Sequence, residues 1–326
     1  MSTLGRKVRT LRRVAGNIAF GWAEPTGLVL LYHRVTRLAD DPQALAVSPE
    51  HFRSHLVYLR EHFRVVPFAE VGDDLSRRVT SVAITFDDGY ADNHAEALPI
   101  IESVGVPVTF FVTSGQIGSD REFWWDELDR LILHPEEFPA RVAIGEGVDR
   151  RQWRTQDRAE RMALYGDLHR MMLDMRADVR DRTFATIRGW IGAAPAGRLS
   201  HRVMRVDELR RLAGSRWCTI GAHTVSHTRL SLLSRSEQQR EIDESRMQIE
   251  AWTGKPVSCF SYPFGGSDDF NEDSVEICRA AGYRRVAANV PGQLRRGTDR
   301  YRTPRHLVRN WPLETFRRRL RWFRYA

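Results

Sequence analysis

The stretch Ser81-Val-Ala-Ile-Thr-Phe-Asp-Asp-Gly89 decides the fold, because an apolar run ends abruptly in two carboxylates and a glycine. The run is typical of a buried strand, and the glycine is typical of the turn that follows one. Neighbouring side chains at a strand end diverge, so Asp87 and Asp88 can take different roles at one site. Two adjacent like charges are costly unless a cation or a shared proton relieves them. The alternative is an ordinary turn with a helix cap, where aspartate is common.

Further apolar runs alternate with helix-like segments, which predicts a largely parallel sheet covered by helices. Strands are predicted at 27–33, 79–86, 106–113, 217–223, 257–262 and 283–288, and helices at 49–62, 92–104, 234–253 and 271–281. Candidate functional residues fall where strands end, so a (β/α) barrel fits better than an open doubly wound sheet. Neither a Gly-x-Gly-x-x-Gly nor a P-loop sequence occurs, which argues against nucleotide chemistry.

Bulk composition is that of a globular protein with a substantial core. The chain has 326 residues, of which 42% are hydrophobic, and no apolar run reaches the length of about 18 residues expected of a membrane span. Three widely spaced cysteines imply no disulfide framework. The apolar segment after the basic N-terminus is interrupted by polar residues and makes a poor signal peptide. We therefore expect a cytoplasmic protein, or one on the inner membrane face.

The net charge of +8 is concentrated at the two ends of the chain. An arginine excess can reflect genome composition, so we do not expect nucleic-acid binding. The C-terminal run 313–325 has the spacing of a basic amphipathic helix, which could contact an anionic membrane. The favoured alternative is a last helix that packs its apolar face onto the domain. The residues concerned are Arg6, Lys7, Arg9, Arg12, Arg13, Arg317, Arg318, Arg319, Arg321 and Arg324, with Phe316, Leu320 and Phe323 on the apolar face.

A second motif, Gly221-Ala-His223-Thr-Val-Ser-His227, supplies two imidazoles four residues apart. A helical HExxH zinc site needs Glu where this chain has Thr224, so that interpretation fails. Two His and one Asp nevertheless form a sound three-ligand set for a divalent metal. Taken alone, the pair could equally be a core histidine and a loop histidine.

A third motif, Phe260-Ser-Tyr-Pro-Phe-Gly-Gly266, runs from a strand into a stiff and then sharply turned backbone. The backbone N–H of Phe264 could point into a site and stabilise an oxyanion. An ordinary loop is the alternative.

In this order, Thr85-Phe-Asp-Asp-Gly89, His223-Thr-Val-Ser-His227 and Ser261-Tyr-Pro-Phe-Gly265 resemble the signature of the polysaccharide deacetylase family, the NodB-homology domain of carbohydrate esterase family 4. The resemblance covers about residues 26–118 and 216–312. The segments 31–35 and 123–127 resemble the branch that includes exopolysaccharide deacetylases. The resemblance to the family implies an α/β fold, namely a distorted, incomplete (β/α) barrel. We expect a basic extension at 1–25 and a catalytic domain at 26–326 with a helical insertion at about 119–215.

The resemblance also implies a metal site and a general base. Asp88, His223 and His227 would hold one divalent metal, commonly zinc. Asp87 would be the base that takes a proton from metal-bound water. The metal and the N–H of Phe264, in the segment with Tyr262 and Pro263, would stabilise the oxyanion.

Two features depart from the family pattern. Many members carry an arginine that orients the base where this chain has Ser261, and Arg302 or Arg305 are candidate substitutes. The general acid is either His306 or His33. We favour His33, because it lies at the predicted carboxyl end of a barrel strand.

The implied activity is a metal-dependent removal of N-acetyl groups from amino sugars of a polysaccharide or lipid-linked glycan, as in exopolysaccharide biosynthesis. An esterase acting on O-acetyl sugars would use the same residues. A catalytically decayed glycan-binding module is a second class, and a membrane-surface or nucleic-acid-binding protein with basic termini is a third. Tryptophans of the insertion could stack on sugars or pin helices together, and the latter is commoner.

Overall fold

The computed structural model describes residues 27–75, 80–145 and 150–323. The chain divides into two compact units, one of residues Gly118–Val203 and a larger one formed by the segments on either side. The basic extension predicted at 1–25, with its arginines, and Arg324 at the other end lie outside the described residues.

The described elements are numbered here in chain order. The strands are β1 (Gly27–Tyr32), β2 (Arg34–Val35), β3 (Ala46–Val47), β4 (Arg64–Val65), β5 (Ser81–Phe86), β6 (Val108–Val112), β7 (Arg141–Ile144), β8 (Arg151–Arg154), β9 (Cys218–Ala222), β10 (Cys259–Ser261), β11 (Arg285–Ala287) and β12 (His306–Leu307). The α-helices are α1 (Pro49–His62), α2 (Leu98–Val104), α3 (Trp124–Leu133), α4 (Arg158–Leu173), α5 (Ala177–Ile191), α6 (Val206–Gly214), α7 (Arg235–Thr253), α8 (Glu272–Ala280) and α9 (Leu313–Phe323).

The larger unit is built on one parallel sheet. Its strand order is β11-β10-β9-β6-β5-β1-β12, and the short β4 pairs with the start of β5. β1 and β5 form its longest pairing, from Gly27 opposite Ser81 to Tyr32 opposite Phe86. The path begins at β11 and ends at β12, so the sheet is the incomplete (β/α) barrel that the resemblance implied, and that prediction is confirmed.

The central strands are buried along their whole length, as expected for a parallel sheet covered on both faces. One face packs against the helices in a large core that includes Leu30, Ile84 and Phe110. The other face carries a smaller core that includes Val29, Ala83 and Phe111. Because all these strands are parallel, their carboxyl ends meet at one edge of the sheet, and the sequence motifs follow those ends.

Local capping accounts for the two longest helices of this unit. The Ser48 hydroxyl accepts a hydrogen bond from the N–H of His51, with proline at the first helical position of α1. Ser234 and Glu237 form a capping box at the start of α7. The segment predicted as a helix from residue 92 begins instead with a π-helical turn, Asn93–Ala97, before α2. Such turns are frequent at functional sites.

The C-terminal helix α9 buries the side chains of Phe316, Leu320 and Phe323 against the domain. The favoured packing interpretation of this segment is therefore confirmed, while membrane contact stays a prediction. No helix within the described ranges is both long and apolar enough to cross a membrane.

The smaller unit, Gly118–Val203, contains α3, α4 and α5 together with an antiparallel hairpin of β7 and β8. The predicted helical segment extended to 215, but α6 groups with the larger unit, and the hairpin was not predicted. Arg198 donates to the carboxylates of Glu122 (2.8 Å) and Asp129 (2.9 Å), which ties the end of the unit to its start. Trp124 and Trp125 are buried, as a packing role requires.

A buried neutral histidine holds α1 and α9 to the sheet. The Nε2 atom of His55 lies 2.8 Å from the carbonyl oxygen of Trp311, so Nε2–H donates, and Nδ1 can accept from the Tyr32 hydroxyl at 3.2 Å. The His55 ring stacks on Phe316 with centroids 3.8 Å apart. Burial lowers the pKa of His55 from 6.5 to about 4, despite the Trp311 carbonyl, which favours the charged form.

Stability should therefore fall on acidification through His55. The His55 ring binds a proton near pH 6.5 in the unfolded state and near pH 4 in the folded state. Its contribution to the free energy of unfolding is therefore complete above pH 6.5 and is lost as the pH falls toward 4. A shift of this size corresponds to roughly 3 kcal/mol in the free energy of unfolding. Urea unfolding at pH 7 and pH 4.5 should show a smaller pH dependence for His55→Gln than for the wild type.

His62→Gln is the matched control, because His62 is an exposed histidine of the same helix. It should retain the pH dependence of the wild type. An H55Q variant with an unchanged pH dependence would show that His55 does not carry this linkage.

Candidate active site

The carboxyl edge of the sheet brings Asp87, Asp88, His223 and His227 together. The two aspartates follow β5 directly, His223 follows β9, and all four side chains are at least 95% buried. Oδ1 of Asp88 lies 3.2 Å from Nε2 of His227 and 3.6 Å from Nε2 of His223. The ligand atoms that Asp88, His223 and His227 offer all lie within 4.8 Å of one another. A single ion could therefore contact all three.

The protonation state of His223 suits it to bind a metal. Its Nδ1 atom lies 2.7 Å from the carbonyl oxygen of Ser261, which can only accept, so Nδ1 carries the hydrogen. When the ring is neutral, its lone pair is therefore on Nε2, the nitrogen that faces Asp88. Burial lowers the pKa of His223, but the charges of Asp87 and Asp88 outweigh burial and raise that pKa above its ordinary value. Burial raises the pKa of Asp88, but hydrogen bonds from His223 and His227 outweigh burial and hold that pKa below its ordinary value. Two imidazoles and an ionised carboxylate form a donor set that fits zinc or a similar divalent ion.

The loops that carry these side chains hold an unusual backbone conformation. Four of the five described non-glycine residues with positive φ lie here: Asp88, Thr224, His227 and Phe264. The N–H of Gly89 donates to the carbonyl of Asp87 (3.0 Å), and the N–H of Gly265 to that of Pro263 (2.6 Å). Each bond closes a three-residue turn around the residue between. Such turns are rare and cost about 1–3 kcal/mol per strained residue, so they persist where the surrounding structure enforces them.

The second aspartate, Asp87, has a different partner. Both of its oxygens accept from the Arg305 guanidinium at 2.7 Å, in a bidentate ion pair whose arginine side chain is 1% exposed. Ser261 Oγ lies 2.9 Å from Nη2 of Arg305 and donates to Oδ2 of Asp87 at 3.3 Å. Burial raises the pKa of Asp87, but the charges of Arg305 and His223 prevail and lower it below its ordinary value.

Arg305 therefore supplies the guanidinium that the third motif lacks. Of the two candidate substitutes, Arg302 pairs instead with Glu272 on the protein surface. Arg305 directly precedes β12, which lies on the opposite side of β1 and β5 from Ser261.

The two candidate acids occupy different surroundings. His33 directly follows β1, and the charges of Asp88 and Asp87 act on its pKa, which burial nevertheless lowers from its ordinary value. Within the part of the chain that the structure describes, its buried Nδ1 atom has no hydrogen-bond partner. His306 follows Arg305 in the chain, and its ring stacks on Phe323 of α9 with centroids 4.0 Å apart. Successive side chains of a strand face opposite sides, so the structure places His306 against the helical layer while Arg305 faces the site.

The third motif reaches the site through one of its three candidate residues. The Phe264 ring packs edge-on against the His227 ring, with centroids 4.8 Å apart. The side chain of Tyr262 lies in the core instead, where it stacks on Phe270 and its hydroxyl donates to the carbonyl of Tyr301. Pro263 is buried and contributes its carbonyl to the turn around Phe264.

Sequence reasoning missed Glu241 of α7. One carboxylate oxygen of Glu241 accepts from the backbone N–H groups of Val225 and Ser226, both at 2.9 Å, and the other accepts from the Ser226 hydroxyl at 2.7 Å. These bonds hold the loop between the two histidines. A helical glutamate 14 residues after a histidine has no distinctive sequence signal, because only the fold brings it under the loop.

Sequence reasoning also missed Asp92 and Asn93, which bind the segment after β1. The carboxylate of Asp92 accepts from the Arg34 guanidinium (2.9 Å) and the N–H of Val35 (3.0 Å), and the Asn93 amide donates to the carbonyl of His33 (2.9 Å). These contacts fix the backbone of His33 next to the aspartate pair. An Asp-Asn pair after a turn signals only a helix cap in sequence, which hid this role.

A comparison of the sequence with protein-family models adds to the evidence from the half-barrel and the Asp-His-His cluster. A family model described as polysaccharide deacetylase matches residues 75–141 and 176–286, more than half of the chain. The chain belongs to the polysaccharide deacetylase family, and the resemblance drawn from the three motifs is confirmed.

Individual relatives are distant but cover most of the chain. The Bacillus subtilis (strain 168) protein YxkH, which bears the polysaccharide deacetylase name, is 19% identical over 278 residues, or 84% of this chain and 68% of its own length. The structure of IcaB from Ammonifex degensii matches with a TM-score of 0.59 at 18% identity, over 92% of this chain and 97% of that one. The Streptococcus pyogenes deacetylase PplD, solved in complex with acetate, gives a TM-score of 0.58 at 14% identity, over 91% and 98%. At these identities the structural matches establish the fold.

Removing the Glu241 carboxylate should weaken metal binding. Without it the N–H groups of Val225 and Ser226 lose their acceptor and the His227 loop can relax from its strained conformation. Because outer hydrogen bonds of this kind orient metal ligands, we expect Glu241→Ala to lower zinc affinity about 10–100-fold in competition with a chromophoric chelator. Glu244→Ala, at an exposed position of the same helix, should leave the affinity unchanged. Equal affinities for both variants would contradict a positioning role for Glu241.

Proposed function

We propose that this protein is a divalent-metal-dependent hydrolase that removes N-acetyl groups from amino sugars of a polysaccharide or lipid-linked glycan. The observation that carries the proposal is that two adjacent buried carboxylates have different partners. Asp88 faces two imidazoles, and Asp87 is held by Arg305 with an oxygen 3.8 Å from Nε2 of His223. A metal ligand and an ionised base side by side are what the hydrolysis of an amide by activated water needs.

The metal ligands would be Asp88, His223 and His227, and zinc fits this donor set. A divalent ion held there would supply a Lewis acid for the acetyl carbonyl and would acidify water. All other roles belong to side chains and backbone of the chain itself. Asp87 is ionised at neutral pH and takes the proton of the attacking water. The N–H of Phe264 donates to the oxygen of the carbonyl as negative charge develops on it.

Collapse of the tetrahedral adduct breaks the C–N bond and releases acetate and the free amine. The amine must receive a proton as it leaves, and His33 is the proposed donor. Its lowered pKa makes protonated His33 a strong acid, while the nearby carboxylates Asp87 and Asp88 favour its protonated form. His306 is the less suited candidate, because its ring stacks on Phe323 in the helical layer.

Replacing the proposed base should remove activity without removing metal. Asp87→Asn preserves shape but cannot accept the proton, so acetate release from N-acetylglucosamine oligomers should fall about 10²–10⁴-fold. Zinc content, measured by mass spectrometry, should match that of the wild type because Asp88, His223 and His227 remain. Asp178→Asn, an exposed aspartate of the smaller unit, is the matched control and should retain full activity.

Unchanged acetate release by D87N would exclude Asp87 as the base. A wild-type protein that holds zinc but releases acetate from neither N-acetylated nor O-acetylated sugars would support a glycan-binding module instead. Release from O-acetylated sugars alone would identify an esterase.

Replacing Arg305 should change the pH dependence of activity. Its positive charge and two hydrogen bonds lower the pKa of Asp87, so their loss raises that pKa. For Arg305→Gln we therefore expect the acid limb of the profile of kcat/KM to move to higher pH, with a lower plateau because the base is no longer held in place. An R305Q variant with the wild-type profile and plateau would contradict this role.

A variant with the two residues exchanged tests whether the pH dependence of activity requires only a guanidinium beside Asp87, or a guanidinium from position 305. Ser261 and Arg305 both contact Oδ2 of Asp87, so Ser261→Arg combined with Arg305→Ser can bring a guanidinium to the same carboxylate from β10. Restoration of the acid limb relative to R305Q is expected. Thermal unfolding of each variant checks that folding is intact.

A further inference from the structure

An arginine-lined cleft of about 640 Å³ lies at the amino edge of the sheet, opposite the Asp-His-His cluster. Two of its lining residues locate it. Arg285 is the first residue of β11, and Leu294 pairs through its backbone with Gly27, the first residue of β1. The metal-ligating side chains follow the carboxyl ends of the same parallel sheet, so the two sites are separate.

Positive charge in this cleft exceeds negative charge. The lining includes five arginines and two aspartates: Arg284, Arg285, Arg295, Arg296, Arg300, Asp73 and Asp74. Asp73 is shared, since it accepts from Arg284 at 2.6 Å and from Arg285 at 3.1 Å. Asp74 faces a further cation, Arg64, at 3.8 Å. Over the described ranges, no carboxylate forms an ion pair with Arg296 or Arg300.

Arg285 is the buried centre of the cleft. Arg285 is 5% exposed, and its buried Nε atom has no hydrogen-bond partner among the described residues. Burial lowers the pKa of Arg285, the charge of Asp73 opposes this effect, and the charge of Arg300 adds to it. A buried guanidinium with an unused donor and a like charge nearby is stabilised by an added anion.

We propose that this cleft binds a phosphate group of two or more negative charges, such as pyrophosphate, either free or as part of a lipid headgroup. Arginine is the side chain best matched to phosphate, because its planar fork can donate two parallel hydrogen bonds. The cleft volume lies within the range of small-molecule sites, so it has room for a phosphate and the group attached to it. The site stands independently of the proposed deacetylation.

Calorimetric titration of the full-length protein with inorganic pyrophosphate tests the site directly. Binding should weaken as sodium chloride rises. The double variant Arg296→Gln/Arg300→Gln removes two exposed charges and should weaken binding at least about tenfold, as expected for the loss of charge-assisted contacts. Arg240→Gln removes one charge from an exposed arginine of α7 outside the cleft, and this control should bind like the wild type.

Two further variants sharpen the result. Asp73→Asn removes the carboxylate that competes for Arg284 and Arg285, so pyrophosphate should bind more tightly, opposite in sign to the arginine variants. Asp88→Asn tests whether pyrophosphate binds at the metal-ligand cluster instead of the cleft. Pyrophosphate binding should be unchanged in this variant.

A vesicle arm distinguishes the two sources of phosphate. Phosphatidylcholine vesicles with and without phosphatidic acid are sedimented with wild type, R296Q/R300Q and R240Q. Sedimentation that requires phosphatidic acid and is lost only in the cleft variant indicates a lipid headgroup, and pyrophosphate binding without it indicates a free phosphate ligand. If neither arm distinguishes R296Q/R300Q from R240Q, the proposal is wrong.

Discussion

Two adjacent carboxylates buried at the end of β5 are the constraint on which the carboxyl edge of this protein depends. Each ionised carboxylate taken from water costs several kcal/mol unless it is compensated, and two neighbours also repel each other. Asp88 has positive φ, and the two carboxylates differ in their main partners although both lie within 4 Å of Nε2 of His223. Asp87 meets a full charge on Arg305, and Asp88 meets two imidazoles. The difference matters chemically. A guanidinium cannot give up its proton and keeps Asp87 ionised, whereas the imidazoles beside Asp88 can each lose a proton, so the charge opposite that carboxylate is not fixed.

The strain in these loops is supported by rigid neighbours. The N–H groups of Ser114 and Gly115, just after β6, donate to the carbonyls of Thr224 and Val225 in the histidine loop. Position 115 must be glycine, since a Cβ there would lie 2.6 Å from the Val225 carbonyl oxygen. Glu241 binds the same loop from α7. The backbone just after β6 and a helical carboxylate thus both bind the histidine loop, which explains how several residues with positive φ can persist together.

Local sequence signals predicted what lies along single strands and loops. The aspartate doublet, the histidine pair and the Pro-Phe-Gly turn each follow a strand, and alternation of strands with helices indicated the barrel. Such local signals could not predict contacts between segments that are distant in the sequence. Whether Arg305 or His306 faces the site depends on the register of β12 against β1, where Leu30 lies opposite His306. A shift of one residue would exchange the side chains facing the two sides. Glu241 and the β7–β8 hairpin were missed for related reasons, since the first acts across the fold and the second lies in a charged segment without a clear period.

The two edges of the sheet differ in how their charges are balanced. At the carboxyl edge, Asp87 is matched by Arg305, and the donor set of Asp88, His223 and His227 could hold one cation. At the amino edge, one carboxylate, Asp73, serves two arginines, while Arg300 adds a like charge beside the buried Arg285. A charge excess is inexpensive on an exposed surface, where water screens it, but it is costly at a residue as buried as Arg285. Packing alone would be served as well by an apolar side chain at that position. The retention of a buried, incompletely paired guanidinium in a concave site is the physical reason to regard the amino edge as a binding surface rather than as part of the scaffold.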